Sequence, residues 1–296
     1  MLTDLIKSKT KDGKDFLRAI MFDKDGNRRN GIMFESDKLD FDPENGNIVE
    51  AVGVVQTYAG QEQLKINSMR LLSDADPADF LPKKKGLDAD ALFEEFSALL
   101  IDNVNDEYII KLIDSFLNDE EAVALFKKMP AAKSVHHAYL SGLLEHTLSI
   151  AKMALMIAEH YSDQVNKEHL LLGVLFHDMG KIQELAAGTG LEYTDRGKLL
   201  GHLILGVEIM NGYISKIDGF PVELKTLLNH LVLSHHGLLE FGSPKKPKTP
   251  EAFILHHLDD LDAKLNTFAS VFEKEGVEQG WSSYDRLLER QLFKHS

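Results

Sequence analysis

The sequence contains no cysteine. That excludes a disulfide framework, thiolate metal sites and a cysteine nucleophile, and leaves histidine and carboxylate as the available metal ligands. There is also no apolar run near the ~20 residues that span a bilayer. Met1 to Lys14 is polar and charged, without the apolar centre of a signal peptide, so a cytoplasmic protein with no membrane partner is expected. An excess of positive charge is missing too: Lys and Arg number 33 against 47 Asp and Glu, a net charge of −14. The whole molecule therefore repels a polyanion, which must be met by a local patch or by metal ions, and this argues against a general nucleic-acid coat protein. No internal repeat or long low-complexity segment is present, so a solenoid is excluded as well.

What remains is 296 residues, 44% of them hydrophobic, enough for one or two domains. Residues 1–72 have strand character, in runs Phe16 to Phe22, Gly31 to Phe34, Ile48 to Tyr58 and Gln63 to Leu71. Turn signals fall at Lys11-Asp12-Gly13, Asp25-Gly26-Asn27, Asn45-Gly46-Asn47 and Ala59-Gly60-Gln61. This pattern predicts a small antiparallel β barrel of OB-like type, a frame that often binds single-stranded nucleic acid, although an SH3-like barrel would read similarly. Residues 73–87 lack either periodicity and read as a linker. From 88 to 296 the pattern is helical, with apolar stripes over 88–128, 166–184, 197–217, 222–236 and 250–275, and a cap and first-turn proline at Thr249-Pro250. The expected fold class is multidomain α and β, an OB-like barrel followed by an all-α domain.

Charge is unevenly divided. Residues 1–72 hold 11 basic and 12 acidic residues, and the remainder holds 22 and 35. Within the first 29 residues, eight basic residues face five acidic ones, with Phe16 and Phe22 interleaved. Lys9, Arg18 and Phe16 are the candidates in this strip for tracking a phosphate backbone and stacking bases. A solvated surface over core phenylalanines explains the same residues.

All the histidines lie beyond residue 135, and they include the adjacent pairs His136-His137, His235-His236 and His256-His257. Metal-competent side chains recur within apolar helical segments at His146, His177-Asp178, His202, His235-His236 and Asp259-Asp260-Leu261-Asp262. A lone histidine in such a place is more often a hydrogen-bonded core or surface residue than a ligand. Five segments sharing the feature favour a metal instead, because each embedded polar group needs a partner and one ion could serve them all. Imidazole and carboxylate donors suit Mn²⁺, Fe²⁺, Co²⁺, Ni²⁺ or Zn²⁺.

The order His146, His177-Asp178, Asp259 resembles the HD superfamily of metal-dependent phosphohydrolases over most of residues 134–270. More closely, "GLLEHTLSIA", "HDMGK", "SHHGLLEFGSP" and "LHHLDDLDAK", preceded by a segment containing "GQEQLKI", resemble the YhaM family of 3′-5′ exoribonucleases across nearly the whole chain. The resemblance implies two divalent metals, with manganese foremost. His146, His177, Asp178 and Asp259 would hold the first; Asp178, His202 and His235 would hold the second, with His236 competing for the last place. It implies hydrolysis by metal-activated water, with Asp178 and Lys181 as catalytic residues and Lys181 also contacting the substrate phosphate; an exposed lysine near a helix end is the alternative for Lys181. Asp262 is expected behind the ligands and His256-His257 on a helical flank or behind them, while His137 could face the entrance.

The implied function is removal of nucleotides from the 3′ end of single-stranded RNA, and of DNA as well, with a homo-oligomer as the implied assembly. One alternative is hydrolysis of a nucleotide or cyclic dinucleotide. Against it, Gly242-Ser243-Pro244 stands where cyclic-dinucleotide phosphodiesterases carry Gly-Tyr-Pro. Lys245, Lys246 and Lys248 beyond it could serve either substrate or form a solvated loop. A second alternative is a non-catalytic nucleic-acid-binding regulator. The C-terminal "YDRLLERQLF", with Trp281, reads either as a docking helix or as a segment closing the domain.

Overall fold

Strands β1 (Leu2–Lys9), β2 (Asp15–Phe22), β3 (Arg28–Phe34), β4 (Val49–Tyr58) and β5 (Gln61–Leu71) follow one another at the start of the chain in the computed structural model. The structure describes all residues except 25–26, 59–60, 76–79, 82, 85, 133–138, 187–191 and 296, and the side chain of Gln61. The turn signals at Asp25-Gly26 and Ala59-Gly60, and the pair His136-His137, lie outside the described residues. The chain divides into two units: Met1–Lys85 with Leu185–Tyr193, and Gly86–Glu184 with Thr194–Ser296.

In the first unit the five strands form one sheet in the order β1-β2-β3-β5-β4. β3 and β5 run parallel, and the other neighbours are antiparallel. Alternation sends Leu17 and Ala19 of β2, Met33 of β3 and Ile66 of β5 to one face, where they close a core with Leu2 and Met69. The expected closed barrel is corrected here, because the described strands make an open sheet. The reason lies at the outer edge of β1: Leu2 N–H donates to Asn47 O (2.9 Å), Gly46 N–H to Leu2 O (2.8 Å) and Leu5 N–H to Asn45 Oδ1 (2.8 Å). The turn preceding β4 thus takes the bonds that β4 would need to close the ring. β1 itself falls in a stretch that reads as polar, since Asp4, Lys7 and Lys9 all point to solvent along it.

The second unit contains α1 (Ala89–Asp102), α2 (Glu107–Leu117), α3 (Glu120–Lys128), α4 (Gly142–His160), α5 (Lys167–Phe176), α6 (Lys181–Glu184), α7 (Asp195–Ile214), α8 (Val222–Ser234) and α9 (Pro250–Glu275). Side chains of Asp88, Asp106, Asp119, Asn166, Thr194 and Thr249 accept first-turn N–H groups, which sets the starts of six of these helices. Phe96, Phe116 and Phe126 are fully buried and meet ring to ring, joining α1, α2 and α3. α5 is buried on every side from Leu170 to Phe176, as a central helix must be, and packs against α4, α7, α8 and α9.

The segment after residue 88 is not wholly helical. Leu185–Ala186 (β6) pairs with Glu192–Tyr193 (β7), and Gly280–Asp285 (β8) pairs with Arg290–Lys294 (β9). Of the two readings of the C-terminal segment, the docking helix is corrected to a hairpin, with Trp281 opposite Phe293. Gly276 ends α9 with a left-handed residue (φ +62°), and the β-favouring Trp281, Tyr284 and Phe293 then form strands.

The turn leaving α5 is held by a close approach. A Cβ on Gly180 would lie 2.0 Å from His202 O and 2.6 Å from Gly206 N of α7. Gly180→Ala must push α7 away from the turn. It should cost about 1–3 kcal/mol of stability, read as a lower urea midpoint at an unchanged slope.

Candidate metal centre

The polar cluster forms where α5 ends. His177 is the capping residue of α5 and Asp178 follows it directly. α4 carries His146 in its second turn, α7 carries His202, α8 runs into His235 and His236, and α9 carries Asp259 and Asp262. α7 is interrupted at Gly201 (φ +72°, ψ 161°), a conformation suited to glycine. The break frees the N–H of His202 from the helix ladder, and it donates to Glu184 Oε1 at 2.9 Å.

Each imidazole is tied through Nδ1. His177 donates to Val174 O (2.7 Å) and His235 to Val232 O (2.8 Å), carbonyls three residues back that a helix end leaves unpaired. His146 Nδ1 pairs with Asp262 Oδ2 (2.7 Å), His202 Nδ1 with Glu184 Oε1 (3.2 Å) and His236 Nδ1 with Phe241 O (2.9 Å). The five Nε2 atoms are thereby turned toward one another. His146 Nε2 lies 3.4 Å from His177 Nε2, and His202 Nε2 lies 3.1 Å from His236 Nε2.

Asp178 sits between the two sets. Its Oδ2 is 3.4 Å from His177 Nε2, 3.7 Å from His146 Nε2 and 2.5 Å from Lys181 Nζ. Its Oδ1 is 3.6 Å from His202 Nε2 and 3.7 Å from His235 Nε2. Asp259 Oδ1 approaches His146 Nε2 at 3.1 Å. Among the described residues, two groups have donor atoms close enough to share a cation, His146 with His177 and Asp178, and His202 with His235 and His236.

These residues fit metal ions on a structural ground. His146, His177, Asp178 and His235 are at most 2% exposed, yet Asp178 Oδ1 and His235 Nε2 have no hydrogen-bond partner among the described residues. Leaving such atoms buried and unpaired is costly, and a cation between them would satisfy both. The protonation states of His235, Asp178 and Asp259 agree. Burial holds the His235 imidazole well below its ordinary pKa, which keeps it neutral, as a ligand must be. Burial works against charge on Asp178, but the Lys181 ammonium and His177 outweigh it and the carboxyl stays ionised. Burial likewise opposes charge on Asp259, and its bond to His146 prevails. For His146, burial disfavours the imidazolium, but Asp259 and Asp262 raise its pKa to about 9, so a metal at Nε2 must displace a proton there.

Of the residues named from sequence, His146, His177, Asp178, Lys181, His202, His235, His236 and Asp259 come together. Asp262 lies behind His146, with Ser149 Oγ donating to its other oxygen. His256 Nδ1 donates to His235 O at 2.8 Å, while His257 packs on Phe253 at the exposed side of α9. Ser243 is buried with its hydroxyl within 2.8 Å of the Leu233 and Lys245 carbonyls, so the Gly-Ser-Pro turn serves structure, and Lys245, Lys246 and Lys248 are exposed. In the first unit, Lys9 pairs with Asp15 at 3.4 Å on the surface, and the Arg18 guanidinium lies over the Phe16 ring, 5.4 Å from its centroid. Glu184 escapes the sequence reading, because in Ile182-Gln183-Glu184-Leu185-Ala186 nothing sets it apart from a solvated carboxylate.

The comparisons with known proteins match this geometry. Residues 143–264 match the model of the HD domain, a fold of metal-dependent phosphohydrolases, and a second model, described as a putative helicase, matches residues 111–168. The chain is 37% identical over 291 residues to the 3′-5′ exoribonuclease YhaM of Geobacillus sp. (strain WCH70), covering 91% of this chain and 84% of that one. It is 34% identical to the protein of that name from Bacillus subtilis, covering 91% and 86%, and 33% identical to that of Listeria innocua, covering 92% and 86%. No solved structure matches. The helical unit thus contains an HD domain. The chain belongs to the YhaM family.

Asp262→Ala would leave His146 Nδ1 without its carboxylate. Divalent-metal affinity, measured by calorimetric titration of the metal-stripped protein with Mn²⁺, should fall about 10- to 100-fold while the fold is retained.

Proposed function

We propose that this protein is a divalent-metal-dependent phosphodiesterase that shortens single-stranded RNA from its 3′ end. The observation that carries the reading is Asp178, a buried carboxylate whose two oxygens face two histidine sets, with Oδ1 unpaired among the described residues. Identity to curated 3′-5′ exoribonucleases over 91% of the chain supports the same activity.

In this reading His146, His177, Asp178 and Asp259 would hold one ion, and Asp178 and His202 with His235 or His236 would hold the other. Mn²⁺ is the first candidate, and Fe²⁺, Co²⁺, Ni²⁺ and Zn²⁺ suit the same donors. When bound, two such ions would activate water at neutral pH and offset charge on phosphoryl oxygens. The remaining steps belong to the chain. Asp262 and Glu184 fix the rings of His146 and His202, and the Val174 and Val232 carbonyls fix those of His177 and His235. Lys181, mostly buried beside Asp178, presents a positive charge where negative charge grows on the phosphate.

Single-stranded DNA carries the same phosphodiester and is the second substrate of this reading. Among the described residues no helix is long and apolar enough to cross a membrane; together with the cysteine-free composition this favours the cytoplasm. The exposed ring pair Trp281 and Phe293, 5.0 Å apart, supports self-association. With a net charge of −14, RNA binding should depend on local basic residues and weaken steeply with salt.

Purified protein with Mn²⁺ and 5′-labelled single-stranded RNA should give a ladder shortening from the 3′ end, and Asp178→Asn should abolish it. RNA left intact by the wild-type protein across several divalent metals would refute the reading. Lys181→Ala should keep its metal content and lose about 10²- to 10³-fold in kcat, measured with the same substrate at saturation.

A further inference from the structure

The last carbonyls of a helix have no partner within it, and α8 ends among the candidate ligands. Most of the carbonyls at its exit are satisfied by α8 itself or by the loop that follows. Val232 O accepts from His235 Nδ1 (2.8 Å), Leu233 O from Ser243 Oγ (2.8 Å), Ser234 O from the Gly237 N–H (2.8 Å) and His236 O from the Leu238 N–H (2.9 Å). The carbonyl of His235 differs: its partner is His256 Nδ1, 21 residues on in α9, at 2.8 Å. A carbonyl only accepts, so Nδ1 of His256 carries the proton. The turn after His236 is shaped around this ring. Gly237 has φ +76°, and a Cβ there would lie 2.3 Å from His256 Nε2 and 2.5 Å from His256 Nδ1, space that the imidazole occupies instead.

The same helix serves the other histidine set. His256, Asp259 and Asp262 follow one another at successive turns of α9. His256 holds the peptide that joins His235 to His236, Asp259 Oδ1 approaches His146 Nε2 at 3.1 Å, and Asp262 Oδ2 pairs with His146 Nδ1 at 2.7 Å. α9 thus spaces the two sets against each other, with His256 as its hydrogen bond to the second. The peptide it holds carries an imidazole on either side: His235 Nε2 stands 3.7 Å from Asp178 Oδ1, and His236 Nε2 stands 3.1 Å from His202 Nε2. Rotating that peptide moves both imidazoles, and coordination tolerates errors of only about 0.2 Å in ligand distance. We propose that His256 is a positioning residue for the second ion: its Nδ1–H fixes the His235–His236 peptide, and without that bond the second ion is held weakly while the first is kept. The inference rests on the two-ion reading given above.

The test titrates the metal-stripped full chain with Mn²⁺ by calorimetry, where the wild-type protein should take up two ions. His256→Phe keeps a ring beside Gly237 and removes the donor. Its affinity for one of the two ions should fall about 10- to 100-fold, with the other unchanged. His256→Asn returns a donor near the position of Nδ1 without the ring, and should bind both ions as the wild type does. In hydrolysis of bis(4-nitrophenyl) phosphate, the Mn²⁺ concentration for half-maximal rate should rise in His256→Phe by the same factor, with KM at saturating Mn²⁺ unchanged. If circular dichroism shows that the phenylalanine variant does not fold, His256→Leu, smaller and likewise without a donor, makes the same comparison. A side chain that only fills space gives the reverse order, with phenylalanine tolerated and asparagine impaired. That order, or two ions bound at wild-type affinity by the donor-free variant, overturns the inference alone. A wild-type chain that binds a single ion sinks the two-ion reading, and the inference with it.

Discussion

Everything in the helical unit depends on the fact that an imidazole buried without fixed partners would be both costly and free to rotate. Here the problem is solved residue by residue through Nδ1, by backbone carbonyls for His177, His235 and His236 and by carboxylates for His146 and His202. Once Nδ1 is engaged, Nε2 has one direction left. The cluster is thus built less by the groups that face each other than by those behind them, and the helix lengths, the interruption at Gly201 and the close turn at Gly180 serve to bring these supports into place.

The sheet unit distributes its chemistry differently. Its core face is apolar and closed by Leu2, Leu17, Met33 and Ile66, while the opposite face keeps aromatic rings, carboxamides and a guanidinium in contact with solvent. A five-stranded sheet that stays open keeps that second face broad and shallow. The acidity of the chain lies almost wholly outside this unit, which is itself nearly neutral.

Much of this was legible in the sequence because burial and periodicity leave direct traces. The stripes around His146 and in Leu170 to Phe176 mark helices, and the His-Asp order names residues that the structure brings within a few ångströms. What was not legible depends on contacts distant along the chain. The opening of the sheet follows from bonds between Leu2 and the turn at Gly46 and Asn47, which no local pattern records. β1 was hidden because a strand with a solvated side looks like a polar leader. The C-terminal hairpin was hidden because Leu287, Leu288 and Leu292 mimic helical spacing, and the left-handed residue Glu289 turns the chain instead. Glu184 was missed because a single carboxylate beside Gln183 has no spacing to betray a partner 18 residues away.

Two of the site's histidine segments are the terminal turns of helices, α5 ending at His177 and α8 at His235. The peptide dipoles of both helices therefore end at the centre with their negative poles, each equivalent to roughly half an elementary charge. This potential comes from backbone amides, so it neither titrates nor disappears when a side chain is replaced. A centre with more imidazoles than carboxylates owes part of its attraction for cations to the direction in which two helices run.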